Sequence, residues 1–157
     1  MLLTSVVIVL REVLEASLLI SVLSALSGVL GIHRRWIGWS LLFGLAGAVG
    51  YSFGVAAISD WFDGVGQEVT CAGMQLLIFL LLLMFTFLVA QDPGKQRFSG
   101  KLIVLVMAAT ISLGVTREGF EILVYLYGFS ADLPRFITIL SGSVIGACIG
   151  ISIGALI

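Results

Sequence analysis

The sequence predicts an all-α, polytopic bundle of five membrane-spanning helices. Three observations predict it: the composition, five long apolar segments, and an alternation of charge between those segments. The chain of 157 residues is 60% hydrophobic and 11% charged, where soluble domains carry about 25% charged residues. A mean hydropathy of +1.21 fits a surface whose main solvent is a lipid bilayer. The net charge is −1, and no basic tract or aromatic-basic interleaving offers a footprint for nucleic acid. Cys71 and Cys148 lie in separate apolar segments without paired spacing, which indicates neither a disulfide framework nor a zinc site. The N-terminal run lacks a basic start and a small-residue cleavage site, so it reads as a helix and not as a leader.

A spanning helix needs about 20 mostly apolar residues. The segments near 2–30, 37–59, 68–90, 102–129 and 134–157 meet that requirement. The first is interrupted by Arg11, Glu12 and Glu15. The second carries Gly44, Gly47, Gly50 and Gly54, and Trp36, Trp39 and Trp61 stand near its ends, as interfacial anchors do. The third opens with Glu68, which complements the positive N-terminal end of a helix, and Gln75 lies on the same side. The fourth is interrupted by Arg117, Glu118 and Glu121. The fifth repeats a glycine every four residues, at Gly142, Gly146, Gly150 and Gly154. Regular small residues let membrane helices approach closely, so this stripe is read as a helix-packing face. It is also the face on which a second copy would dock to form a homo-oligomer. The first and fourth segments exceed a minimal span and are expected to tilt or project.

Orientation follows from the basic residues. Arg34, Arg35, Lys95, Arg97 and Lys101 fall in the connections after helices one and three. The other connections hold Asp60 and Asp63, then Asp132 with Arg135. The positive-inside rule makes the basic connections cytoplasmic and the N-terminus external. The first and fourth helices then run in opposite directions with matching charged motifs. That is the pattern of an inverted-topology repeat, the usual architecture of secondary transporters. The chain reads as one transmembrane domain over 1–157, with a first repeat near 2–91 and a shortened second near 102–157. Thr4 and Thr110, each seven residues before a motif arginine, weakly echo the repeat.

A charge placed mid-bilayer costs about 2.5–3.5 kcal/mol on insertion scales, so ionisable residues there are functional by default. On a helix, Arg11, Glu12 and Glu15 fall within about a 100° arc. Arg11 and Glu15 are spaced for an ion pair, and Glu12 and Glu15 for a shared ligand. Arg117, Glu118 and Glu121 repeat the arrangement. Each motif holds one arginine and two glutamates, so two motifs packed together keep an excess of two negative charges. Such a site calls for a multivalent cation or for protons, and a carboxylate donor set suits hard cations. The arginines hold the carboxylates in place. The competing reading makes each motif a neutralising salt bridge with no ligand.

Arg11-Glu12-Val13-Leu14-Glu15 and Arg117-Glu118-Gly119-Phe120-Glu121 resemble the two R-E-x-x-E motifs of the oxidase-dependent iron permease family, which includes fungal high-affinity and bacterial iron permeases. The resemblance covers the whole chain. It implies iron as the transported substrate, with no tightly bound cofactor. It also implies Glu12, Glu15, Glu118 and Glu121 as metal ligands, with Arg11 and Arg117 as their charge partners. An oxidase or peroxidase on the outer side of a plasma or inner membrane would supply the iron. Seven membrane helices are implied, so the chain would hold the first five, and the lack of a basic flank at Ile157 reads as a truncated end. The family often has an acidic pair at the outer start of helix three. Here Glu68 is followed three residues later by Cys71, which leaves Glu68 and Gln75 as an access path from outside. A permease for another heavy or divalent metal keeps the same site, and a non-transporting membrane subunit is the alternative from a different class.

Overall fold

The computed structural model describes residues 2–61, 65–90, 100–129 and 133–156, apart from the side chains of 56–61 and of 133. Asp63, Lys95, Arg97 and Asp132, with the side chains of Asp60 and Trp61, lie outside the described residues. Five α-helices follow one another: α1 (Leu2–Val29), α2 (Arg35–Trp61), α3 (Gly66–Ala90), α4 (Gly100–Tyr127) and α5 (Leu133–Leu156). Hydropathy places the starts of α2, α3 and α4 two residues late, because each opens with a charged residue, a polar residue or a glycine ahead of its apolar run, at Arg35, at Gly66 and Gln67, and at Gly100 and Lys101. Four helices, α2 to α5, are long and apolar enough to cross a membrane. The first is as long, at 28 residues, and is interrupted by its three charges.

The end of α1 shows how the sequence closes a helix. Gly31 takes a left-handed φ of 67°, which costs a glycine little. Its N–H donates to Gly28 O at 3.2 Å, and Ile32 N–H donates to Ser27 O at 2.9 Å, the paired bonds of a Schellman motif. Ser27 Oγ donates to Ile32 O and accepts Trp36 Nε1 at 3.2 Å. Trp36 is therefore buried and belongs to the core with Leu23, Phe85, Val106, Met107 and Ile111. The expectation that it anchors at the membrane interface is corrected, since its N–H finds a partner inside the bundle. Trp39 stays 64% exposed.

Two helix pairs dominate the packing, α1 against α5 and α2 against α4. Both pairs are parallel. Along the first, Leu2 and Ser5 face Gly142, while Ser17 faces Gly154. Along the second, Ser112 Oγ donates to Ser40 O at 3.0 Å, and Tyr51 packs edge-on against Phe120 at 4.2 Å. The α1–α4 crossing that joins the pairs is antiparallel. Ser5 and Tyr125 hydroxyls share a hydrogen bond of 3.0 Å at one end, and Leu19 meets Gly114 toward the other. Helix α3 packs on α4 and α2.

The glycine stripe of α5 is filled by α1 of the same chain. A Cβ on Gly142 would stand 2.8 Å from Leu2 O, on Gly146 2.6 Å from Val6 O, and on Gly150 2.7 Å from Val13 Cγ1. At Gly154 it would strike Ser17. This face is consequently closed to a second copy, which corrects the expected docking surface. Thr110 is buried and donates to Val106 O at 2.8 Å, whereas Thr4 is exposed. The threonine echo is not a shared structural feature.

Candidate metal site

The crossing of α1 and α4 brings the two charged motifs together. Gly114 sets the distance, because its missing side chain lets Leu19 Cδ2 come within 2.6 Å of where a Cβ would stand. Gly119 does the same toward α2, where Ala48 Cβ lies 3.0 Å from its Cβ position. One turn on either side, the carboxylates face inward. Oxygens from Glu12, Glu15 and Glu118 lie within 4.8 Å of one another. Glu12 and Glu118 are each 5% exposed, and Glu15 is 40% exposed at its side chain.

Arg117 ties the cluster together. Its Nη1 donates to Glu118 Oε1 at 2.8 Å and stands 3.9 Å from Glu15 Oε2, and its Nη2 lies 3.3 Å from Glu121 Oε1. Glu121 therefore joins through the guanidinium, outside the close trio. Arg11 Nε donates to Glu15 Oε1 at 3.0 Å, as the four-residue spacing predicts, and its side chain is 71% exposed. The other oxygen of Glu118, Oε2, is buried and meets no donor. A buried carboxylate oxygen without a partner costs free energy, and this one belongs to a residue that sits in the carboxylate trio. Such an arrangement can accept a cation from several oxygens at once.

Glu68 and Gln75 are exposed on α3 and do not join the cluster. Two residues stand closer: Cys71, which the sequence reading set aside, and Tyr51, which it did not single out. Cys71, half-buried, lies in the electrostatic field of Glu121 and Arg117. The Tyr51 hydroxyl is buried beside Thr70 and Cys71 without a hydrogen bond of ordinary geometry. No sequence spacing links Tyr51 to Cys71. Only the packing of α2 and α3 on α4 does so.

Four helices able to cross a membrane define the class as a multi-pass membrane protein, with a carboxylate cluster between two of its helices. The iron permease FTR1 family matches residues 2–157, so the chain belongs to that family. Neither a curated protein nor a solved structure matches it. Membership makes iron transport across a membrane the coarse function of this fold.

Proposed function

We propose that the chain carries iron ions through the membrane by holding them between the motifs of α1 and α4. Glu12, Glu15 and Glu118 are the first ligands, and Glu121 exchanges between Arg117 and the metal. The observation that carries this reading is the meeting of three carboxylates from two antiparallel helices within 4.8 Å. Hard oxygen ligands and surplus negative charge favour a multivalent cation such as iron over soft metals. Arg117 neutralises the empty cluster and yields carboxylate oxygens to the ion.

The inverted-repeat reading has support of its own. Exchanging α1 with α4 and α2 with α5 turns the α1–α5 pair into the α4–α2 pair, and both pairs are parallel. The correspondence reaches single residues. Gly44 faces Ser112 and Val115 just before one motif, and Gly146 faces Val6 and Leu10 just before the other. Ala48 meets Gly119 inside the second motif, as Gly150 meets Val13 inside the first. Rocking of such halves about a shared site gives alternating access. In this reading the N-terminus is external, and an outer oxidase or peroxidase delivers the iron.

Radioactive-iron uptake by cells expressing Glu12→Ala with Glu118→Ala tests the proposal. Uptake should fall to background while the protein is still made and inserted. Normal uptake by that double variant would end the reading.

A further inference from the structure

Two cavities follow one another along α1 on the side of the cluster nearer Arg34. The upper one, of about 250 Å³, is bounded by Glu12 and Glu118 and continues between Ala16, Ser17 and Ile20 of α1, with Leu41 and Leu45 of α2 opposite. Its walls below the two glutamates are almost wholly aliphatic. The lower one, of about 370 Å³, is bounded by Ile20, Ser21, Ser24, Arg34 and Gly154. Its lining mixes polar and apolar groups about equally, and Ser21 Oγ donates to Gly154 O at its wall. Ile20 is the residue the two share.

We propose that Ile20 is the inner hydrophobic barrier of the permeation route, separating the carboxylate cluster from a hydrated mouth lined by Ser21, Ser24 and Arg34. This rests on the transport reading and on the Arg34–Arg35 connection being cytoplasmic. An aliphatic section between the carboxylates and a more polar space resists wetting, and an ion crosses it only when the section hydrates. Arg34 repels a metal cation resting in the mouth, so the mouth is a place of release and not a second binding site. The cluster and the mouth are offset along α1 by nine residues from Glu12 to Ser21 and twelve to Ser24, about two and a half to three turns.

The test uses the full chain with Cys71→Ala and Cys148→Ala, in inside-out vesicles, labelled with a membrane-impermeant thiol reagent. Ser24→Cys should react fast, and Ala16→Cys at least about tenfold slower, because the reagent must pass the dewetted section. Adding Ile20→Ala should bring the Ala16→Cys rate up to that of Ser24→Cys while leaving the Ser24→Cys rate unchanged. Equal rates at both positions with Ile20 present would overturn the proposal, as would an Ala16→Cys rate indifferent to Ile20→Ala. Unchanged melting temperatures of the purified variants show that they are folded. Iron binding by purified Ile20→Ala protein is measured beside these rates. Loss of binding by Glu12→Ala, Glu118→Ala protein is the separate test of the cluster, so the barrier and the site fail independently.

Discussion

Two five-residue motifs with the same arginine and glutamates at the same spacing live in different surroundings. Arg117 is 20% exposed and touches three carboxylates, from both motifs, while Arg11 is 71% exposed and touches one. The difference comes from the neighbours. Helix α4 is flanked by α2 and α3 and crosses α1, whereas α1 has α5 along one side and no counterpart of α3 among the described residues. Matching local sequence sets the helical spacing and the intrahelical pairs. Burial decides which arginine organises the site.

The comparison is broken most severely by removing the buried acid that both halves share. Glu118→Gln keeps size and hydrogen-bonding capacity but removes a charge at the centre of the trio. Iron uptake should drop to background, with the detergent-purified protein at least as thermally stable as the parent because like-charge repulsion is relieved. Retained uptake would mean that Glu12 and Glu15 suffice.

Next in size is Arg117→Gln. It leaves Glu15, Glu118 and Glu121 without their common cation, and breaking a buried pair costs about 3–5 kcal/mol. The part-exposure of Arg117 places the effect near the lower end of that range. A large fall in melting temperature is expected, partly restored by adding Glu118→Gln. If the double variant is no more stable than the single, the ion pair is not what holds α4 in place.

A third prediction separates closed from open glycines. Gly146→Ala puts a methyl group 2.6 Å from Val6 O, a backbone atom that cannot turn aside, and should cost about 1–3 kcal/mol as overpacking does. Gly50→Ala on α2 meets nothing within 4 Å and should be neutral or stabilising by about 0.4–1 kcal/mol. Equal melting temperatures for the two would contradict the close α1–α5 contact.

Much of this was legible because a bilayer leaves the backbone few choices. Every spanning segment must satisfy its own hydrogen bonds, so apolar length alone located all five helices to within a few residues. The motifs were legible because charge inside those segments is expensive, and their spacing gave the Arg11–Glu15 and Arg117–Glu121 pairs directly. What stayed hidden depends on contacts between helices. Nothing in the order of residues places Tyr51 against Phe120, or Cys71 near Glu121. Trp36 reads as an interfacial anchor until Ser27, nine residues earlier, is seen to accept its N–H. The glycine stripe of α5 announced a close contact but not its owner, which is α1 and not a second chain. The bridging role of Arg117 was hidden for the same reason, since Glu15 lies on another helix.

The smallest expected effect falls on Arg11, and it sharpens the comparison most. Its guanidinium meets one carboxylate, at an exposed side chain, and exposed ion pairs contribute little to stability. Arg11→Gln should leave the melting temperature close to that of the parent and the Glu12–Glu118 contact intact. Uptake should persist at a reduced level, because Glu15 loses the partner that turns its carboxylate away from Arg117. Glu15 Oε2 would then be free to close on Arg117 from its present 3.9 Å, which strengthens the crossing while removing one ligand from the ion. The signature is thus a weaker apparent affinity for iron with unchanged stability, the reverse of Arg117→Gln. If Arg11→Gln instead destabilises the protein as much as Arg117→Gln, α1 is covered where the described residues leave it open, and the two motifs are equivalent after all.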